Sequence, residues 1–81
     1  MTVRVKMFAA AREMAGCPEL VVEVRDGATL ADVRRAVVAA VPALDRILPH
    51  ARWAVDAQFA AAETMVTEKS EIALIPPVSG G

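Results

Sequence analysis

The chain has 81 residues, 56% apolar and 23% charged, which leaves room for one small core and too little for a cofactor-binding α/β domain with its own substrate site. That balance excludes a disordered or collagen-like chain and supplies more apolar surface than a lone small domain needs to bury, so some of it can face a partner. Nine basic against ten acidic side chains give a formal net charge of −1, no electrostatic footprint for nucleic acid or an anionic membrane surface.

Val3, Val5 and Met7 alternate with Arg4, Lys6 and Phe8, the period-two pattern of a strand with one face on a core, and this turns Phe8 away from it. Ala9 to Ala15 read as a short helix of about two turns, stopped by Gly16 with Pro18 two residues later. Leu20 to Val24 read as the second strand, and Asp26-Gly27 as a turn. Thr29 has the character of an N-cap, and Asp32 three positions on favours the positive end of a helix. Leu30, Val33, Val37 and Val41 then recur at three- and four-residue spacing, with Asp32, Arg34 and Arg35 elsewhere around the helix and Pro42 at its end. This is the main helix, packed on the sheet.

Leu44, Ile47 and Leu48 add one more apolar turn before Pro49, and Arg52 to Asp56 alternate as a strand that includes Trp53. Phe59 to Ala62 and Thr64 to Val66 read as short strands or loop. Glu71 to Ile75 form the last strand; with Ile72 and Leu74 on the core, Ile75 points outward as Phe8 does.

Self-sufficient catalysis finds little support in the residue types. No nucleotide-cradling glycine loop is present, nor any HExxH, CxxC or histidine–carboxylate cluster of metal-ligand spacing. His50 reads as a surface histidine and Cys17, just after Gly16, as a small apolar residue. One cysteine makes neither an internal disulfide nor a zinc site, which fits a reducing, cytoplasmic setting. The apolar run Ala36 to Val41 is cut by Pro42 well short of a membrane span, so neither a signal peptide nor a membrane segment is expected.

The end, Pro76-Pro77-Val78-Ser79-Gly80-Gly81, combines prolines that cannot donate a backbone hydrogen bond with two glycines slim enough for a narrow channel. Fully extended it reaches about 20 Å. The organisation expected is a domain over residues 1–75 followed by an extended, flexible tail over 76–81. A bare Gly-Gly on its own reads first as a frayed end.

The wider pattern gives that end a meaning. Phe8-Ala9 followed by Ala11-Arg12-Glu13, the order of elements, and Ile75-Pro76-Pro77-Val78-Ser79-Gly80-Gly81 together resemble the ubiquitin-like β-grasp sulfur carriers that serve as small subunits of molybdopterin synthase. The resemblance covers the whole chain and implies an α+β fold, a mixed sheet of about four to five strands packed on one main helix. It implies that Gly81 is the reactive group: its carboxylate is adenylated by a separate ubiquitin-activating-like adenylyltransferase using ATP, then thiocarboxylated with sulfur from a donor protein. Pro76, Pro77, Val78, Ser79 and Gly80 would thread the large synthase subunit, where sulfur passes to cyclic pyranopterin monophosphate within a complex of two small and two large subunits. Phe8, Phe59 and Ile75 would be the partner interface. No cofactor is expected on the chain itself, and ATP belongs to the activating partner. Two departures from the family pattern, Glu68-Lys69-Ser70 in place of a glycine-containing acidic turn and Asp56 in place of asparagine, bear on a turn and a local hydrogen bond. Sulfur carriage for thiamine thiazole or another thiometabolite, a ubiquitin-like protein modifier, and a β-grasp module with an inert tail are the alternatives.

Overall fold

The computed structural model describes residues 1–77; Val78, Ser79, Gly80 and Gly81 lie outside the described residues. In chain order it has β1 (Thr2–Met7), α1 (Ala9–Ala15), β2 (Glu19–Glu23), α2 (Leu30–Ala40), 3₁₀ turns at Pro42–Arg46 and Leu48–His50, β3 (Arg52–Val55), β4 (Gln58–Phe59) and β5 (Ile72–Ile75). The strands form one five-stranded sheet in the order β2-β1-β5-β3-β4. Its central pair, β1 and β5, is parallel, and every other pairing is antiparallel. The last strand therefore inserts between the first and the third, a mixed sheet covered on one face by α2.

Alternation sets the two faces. Val3, Val5 and Met7 on β1 and Ile72 and Leu74 on β5 are buried against Leu30, Val33 and Val37 of α2. Each such Leu or Val removed from water contributes about 1.5–3 kcal/mol before entropy is counted, so this shared face supplies most of the driving force for folding. Leu44 and Leu48 from the 3₁₀ turns complete it, and Trp53 packs half-buried at its edge. The expected apolar turn after α2 is present in 3₁₀ form: Pro42, at the first turn, has no N–H with which to continue the α-helix.

Local chemistry places the ends. Gly16 adopts φ +72° to close α1, and its N–H donates to the Arg12 carbonyl. At α2 the Asp32 carboxylate accepts the Thr29 backbone N–H at 2.9 Å and its hydroxyl at 3.3 Å. Arg25, at 3.1 Å, and Arg35 both reach the same carboxylate. The Thr29 backbone hydrogen bond is the largest cause holding the Asp32 carboxyl below its ordinary range; partial burial opposes it, and the two arginines add to it.

Three strand ends shift, one of them at the last strand, which starts at Ile72 and not at Glu71. The second strand begins at Glu19 and ends at Glu23, one residue earlier than the apolar run suggests, because the Met7 N–H pairs with the Pro18 carbonyl and sets the register at that end. The third strand stops at Val55, since Asp56 (φ +51°) and Ala57 (φ +68°) make the two-residue turn into β4. Of the two segments open to strand or loop, only Phe59 of the first is in a strand, β4, and Thr64–Val66 is loop with one isolated bridge between Met65 and Thr29. Carbonyls of this loop instead accept the first free amides of α2, Leu30 N–H to Thr64 and Ala31 N–H to Ala62, both at 2.9 Å. The Asp56 carboxylate accepts the Glu71 N–H at 3.0 Å, and Thr67 and Ser70 hydrogen-bond across the Glu68-Lys69 turn, so this chain meets both local requirements with its own residues.

Candidate functional site

The opposite face of the sheet carries the candidate site. Register places Lys6, Ala73, Ala54 and Phe59 in one row across β1, β5, β3 and β4. Ile75 and Arg52 pair in the next row, nearer to where the chain leaves β5, and Phe8 follows directly on β1. Phe8 is 47% exposed and Phe59 59%. Ile75 lies on this outer face and is half-buried. Large apolar side chains exposed side by side are costly to leave in water and mark a surface for a partner.

Between the two phenylalanines, the row next to Phe59 carries the small side chains of Ala54 and Ala73. Ala54 and Ala73 floor an open depression of about 320 Å³ whose walls include Phe8, Phe59 and Ile75. Ala54 is buried although it faces outward, because its neighbours rise above it. Lys6 and Glu71 also line the depression; outside that lining, the Arg52 guanidinium lies 3.6 Å from the centre of the Phe59 ring. A second, more polar hollow on the same sheet, of about 500 Å³, is lined by Arg4, Lys6 and Lys69 against Glu19, Glu68 and Glu71. These opposite charges balance and give no net field for a charged ligand.

The tail emerges at this surface. Pro76 is buried, so close packing runs one residue beyond Ile75, and Pro77 is exposed. Of the expected site residues the structure thus brings Phe8, Phe59 and Ile75 onto one face, next to Pro76 and Pro77. The positions assigned to Val78, Ser79, Gly80 and Gly81 fall outside the described residues. Local pattern does not point to Ala54, Ala73 and Lys6, which only the cross-strand register brings together. His50 is exposed at the end of a 3₁₀ turn, Cys17 is half-buried, and neither lines the depression. Among the described residues no group of three or more His, Cys, Asp or Glu side chains is placed to hold a metal ion, and no helix is long and apolar enough to cross a membrane.

A mixed sheet grasping one main helix, with its last strand central and a Gly-Gly end beyond it, defines a ubiquitin-like β-grasp protein. Comparison with known proteins narrows the class: the ThiS family model matches residues 5–81, and the chain belongs to that family. It is 36% identical over 83 aligned residues, spanning the whole of both chains, to a molybdopterin synthase sulfur carrier subunit of Chlamydomonas reinhardtii. It is 30% identical to the subunit of the same name in Arabidopsis thaliana, covering 98% of this chain and 82% of that one. Among solved structures, SAMP1 of Haloferax volcanii superposes with a TM-score of 0.90 at 34% identity over the full length of both chains; SAMP1 denotes a small archaeal modifier protein.

Proposed function

We propose that this chain is the sulfur-carrying small subunit of molybdopterin synthase. The observation that carries the reading is its similarity, 30–36% identical over nearly all of this chain, to carrier subunits of that enzyme. Gly81 is the working group. A free carboxylate is a poor electrophile until it gains a leaving group, and this chain has no glycine-rich loop for ATP. A separate ubiquitin-activating-like adenylyltransferase joins the Gly81 carboxylate to AMP with release of pyrophosphate. A persulfide on a donor protein then displaces AMP to give an acyl disulfide, and a thiol reductant cleaves its S–S bond to leave the thiocarboxylate.

The thiocarboxylate offers a polarizable, anionic sulfur able to attack carbon, so what the carrier contributes is reach and docking. Pro76, Pro77, Val78, Ser79 and Gly80 thread the large synthase subunit while Phe8, Phe59 and Ile75 pack on its surface. Acid–base groups come from that subunit. Cyclic pyranopterin monophosphate accepts the sulfur, and hydrolysis of the remaining acyl bond returns Gly81 as a carboxylate. The carrier is consumed and recharged as a reagent, in the cytoplasm.

Reconstitution tests this. Thiocarboxylated carrier mixed with the large subunit and cyclic pyranopterin monophosphate should yield molybdopterin, and a carrier lacking Gly80-Gly81 should yield none while keeping its melting temperature. A fully active truncated carrier would refute the assignment. The likeness to a modifier protein favours a second reading, in which Gly81 is joined to lysines of target proteins. Gly-Gly remnants on lysines of other proteins in cells expressing the chain, with no molybdopterin formed in the reconstitution, would select it.

A further inference from the structure

We infer that the free edge of β2 is a second interaction surface, which takes an extended segment of a partner protein carrying a basic residue two positions before an apolar one. The surface stands apart from the proposed function: β2 ends the sheet at the edge opposite β4, about 19 Å across four strand spacings from Phe59. Hydrogen-bond parity defines it. β2 pairs only with β1. The Val24 N–H donates to the Met1 carbonyl and the Met7 N–H to the Pro18 carbonyl, both at 2.9 Å, so between them Leu20 and Val22 are the residues of β2 that bond to β1. Glu19, Val21 and Glu23 therefore turn their N–H and C=O groups toward the open edge, and all three are exposed. Neither proline nor lysine interrupts Glu19–Glu23, and an edge without such guards is a template for strand addition. The opposite edge, β4, has only two residues. Val21 is 55% exposed and, unlike Phe8 and Phe59, lies outside the lining of the depression.

Charge selects the occupant. Alternation puts the side chains of Glu19, Val21 and Glu23 on one face, so a strand added antiparallel across Val21 meets Glu23, Val21 and Glu19 in that order, with about six backbone hydrogen bonds over three residue pairs. Glu19 already faces Lys6 across the strands and lies 4.0 Å from Arg4. Glu23 faces Thr2, and among the described residues no cation is within ion-pair distance of it; Arg25, two residues on, is engaged by Asp32. The unmet charge is therefore at Glu23, where the incoming strand sets a lysine or arginine, and two residues later an apolar side chain covers Val21. A second copy of the chain fits poorly. Antiparallel self-pairing about Val21 sets Glu19 against Glu23 twice, and like charges directly opposite one another destabilise a strand pair.

The test titrates the full-length chain, labelled for amide NMR, with a cyclised hairpin peptide whose open strand reads Thr-Lys-Thr-Val-Thr, its lysine and valine N–H groups facing outward. Cyclisation removes the cost of ordering the strand. The amides of Glu19, Val21 and Glu23 should shift and gain protection from hydrogen exchange. Replacing the peptide lysine by glutamate should weaken binding at least about tenfold, because attraction becomes repulsion; the chain variant Glu23→Lys should recover affinity for that glutamate peptide. N-methylation of the peptide valine, which removes one edge-facing donor and leaves the protein untouched, should abolish binding. A melting curve of Glu23→Lys confirms that the fold is intact. Shifts confined to Phe8, Phe59 and their neighbours, or none at the three β2 amides, overturn the inference. Binding indifferent to the charge swap overturns the basic residue, and binding that survives N-methylation overturns strand addition. A dimer of the parent chain that protects the same three amides without peptide gives the edge to a second copy and overturns it as well.

Discussion

The two faces of the β1–β5 pair are built from alternate residues of the same two strands, yet they do opposite work. On one face Val3, Val5, Met7, Ile72 and Leu74 are at most 2% exposed. On the other, Lys6, Ala73, Ile75 and, just beyond β1, Phe8 meet solvent around a shallow depression. Apolar side chains occur on both, so hydrophobicity alone does not separate them; α2 covers only one. Stability resides under the helix, the proposed docking surface lies on the open face, and the sheet between them should keep the two mutationally separable.

The largest blow to that separation comes from the covered face. Leu74→Ala should cost about 3 kcal/mol of stability and lower the melting temperature by roughly 15 °C, a shift that calorimetry reads directly. Phe8→Ala acts on the other side: docking to the large subunit should weaken about thirtyfold, near 2 kcal/mol, as for a buried interface anchor, while stability changes by less than about 1 kcal/mol. A drop in melting temperature as large as that of Leu74→Ala would show that Phe8 belongs to the fold.

Smaller effects sharpen the comparison at the margins. Ala57 holds φ +68° in the turn between β3 and β4, a conformation glycine adopts without a Cβ penalty, so Ala57→Gly should raise stability by about 0.5–1 kcal/mol. Docking should change little. The Asp32 carboxyl titrates below its unfolded value; its contribution is therefore complete above the ordinary carboxylate pKa of about 4 and is lost as pH falls through the lower, folded value. Asp32→Asn should accordingly flatten the acid side of the stability–pH profile relative to the parent chain. An unchanged acid limb would remove Asp32 from the account.

Much of the covered face was legible because burial imposes a period. The alternation of Val3, Val5 and Met7, the 3–4 spacing of Leu30, Val33 and Val37, and the stop at Gly16 each follow from one local constraint, and each is where the sequence pattern puts it. Leu44, Ile47 and Leu48 have a spacing that α- and 3₁₀-helices both satisfy, so the finer geometry was not readable. Ala9, Asp56 and Ala57 take positive φ with no glycine to signal it. The open face was half legible: strand parity exposed Phe8 and turned Ile75 outward, but nothing local announces that β5 lies between β1 and β3. Without that order, Ala54 and Ala73 are two ordinary alanines. The role of Gly81 came from resemblance, since a terminal glycine carries no periodicity.

The central claim is that this domain exists to present Gly81 for sulfur loading. The most direct measurement is the intact mass of the chain after incubation with the activating enzyme of the molybdopterin pathway, ATP and a sulfide source. One oxygen replaced by sulfur, located at Gly81 by fragmentation, is the expected result. An unchanged mass, with a known carrier converted in the same reaction, would contradict it.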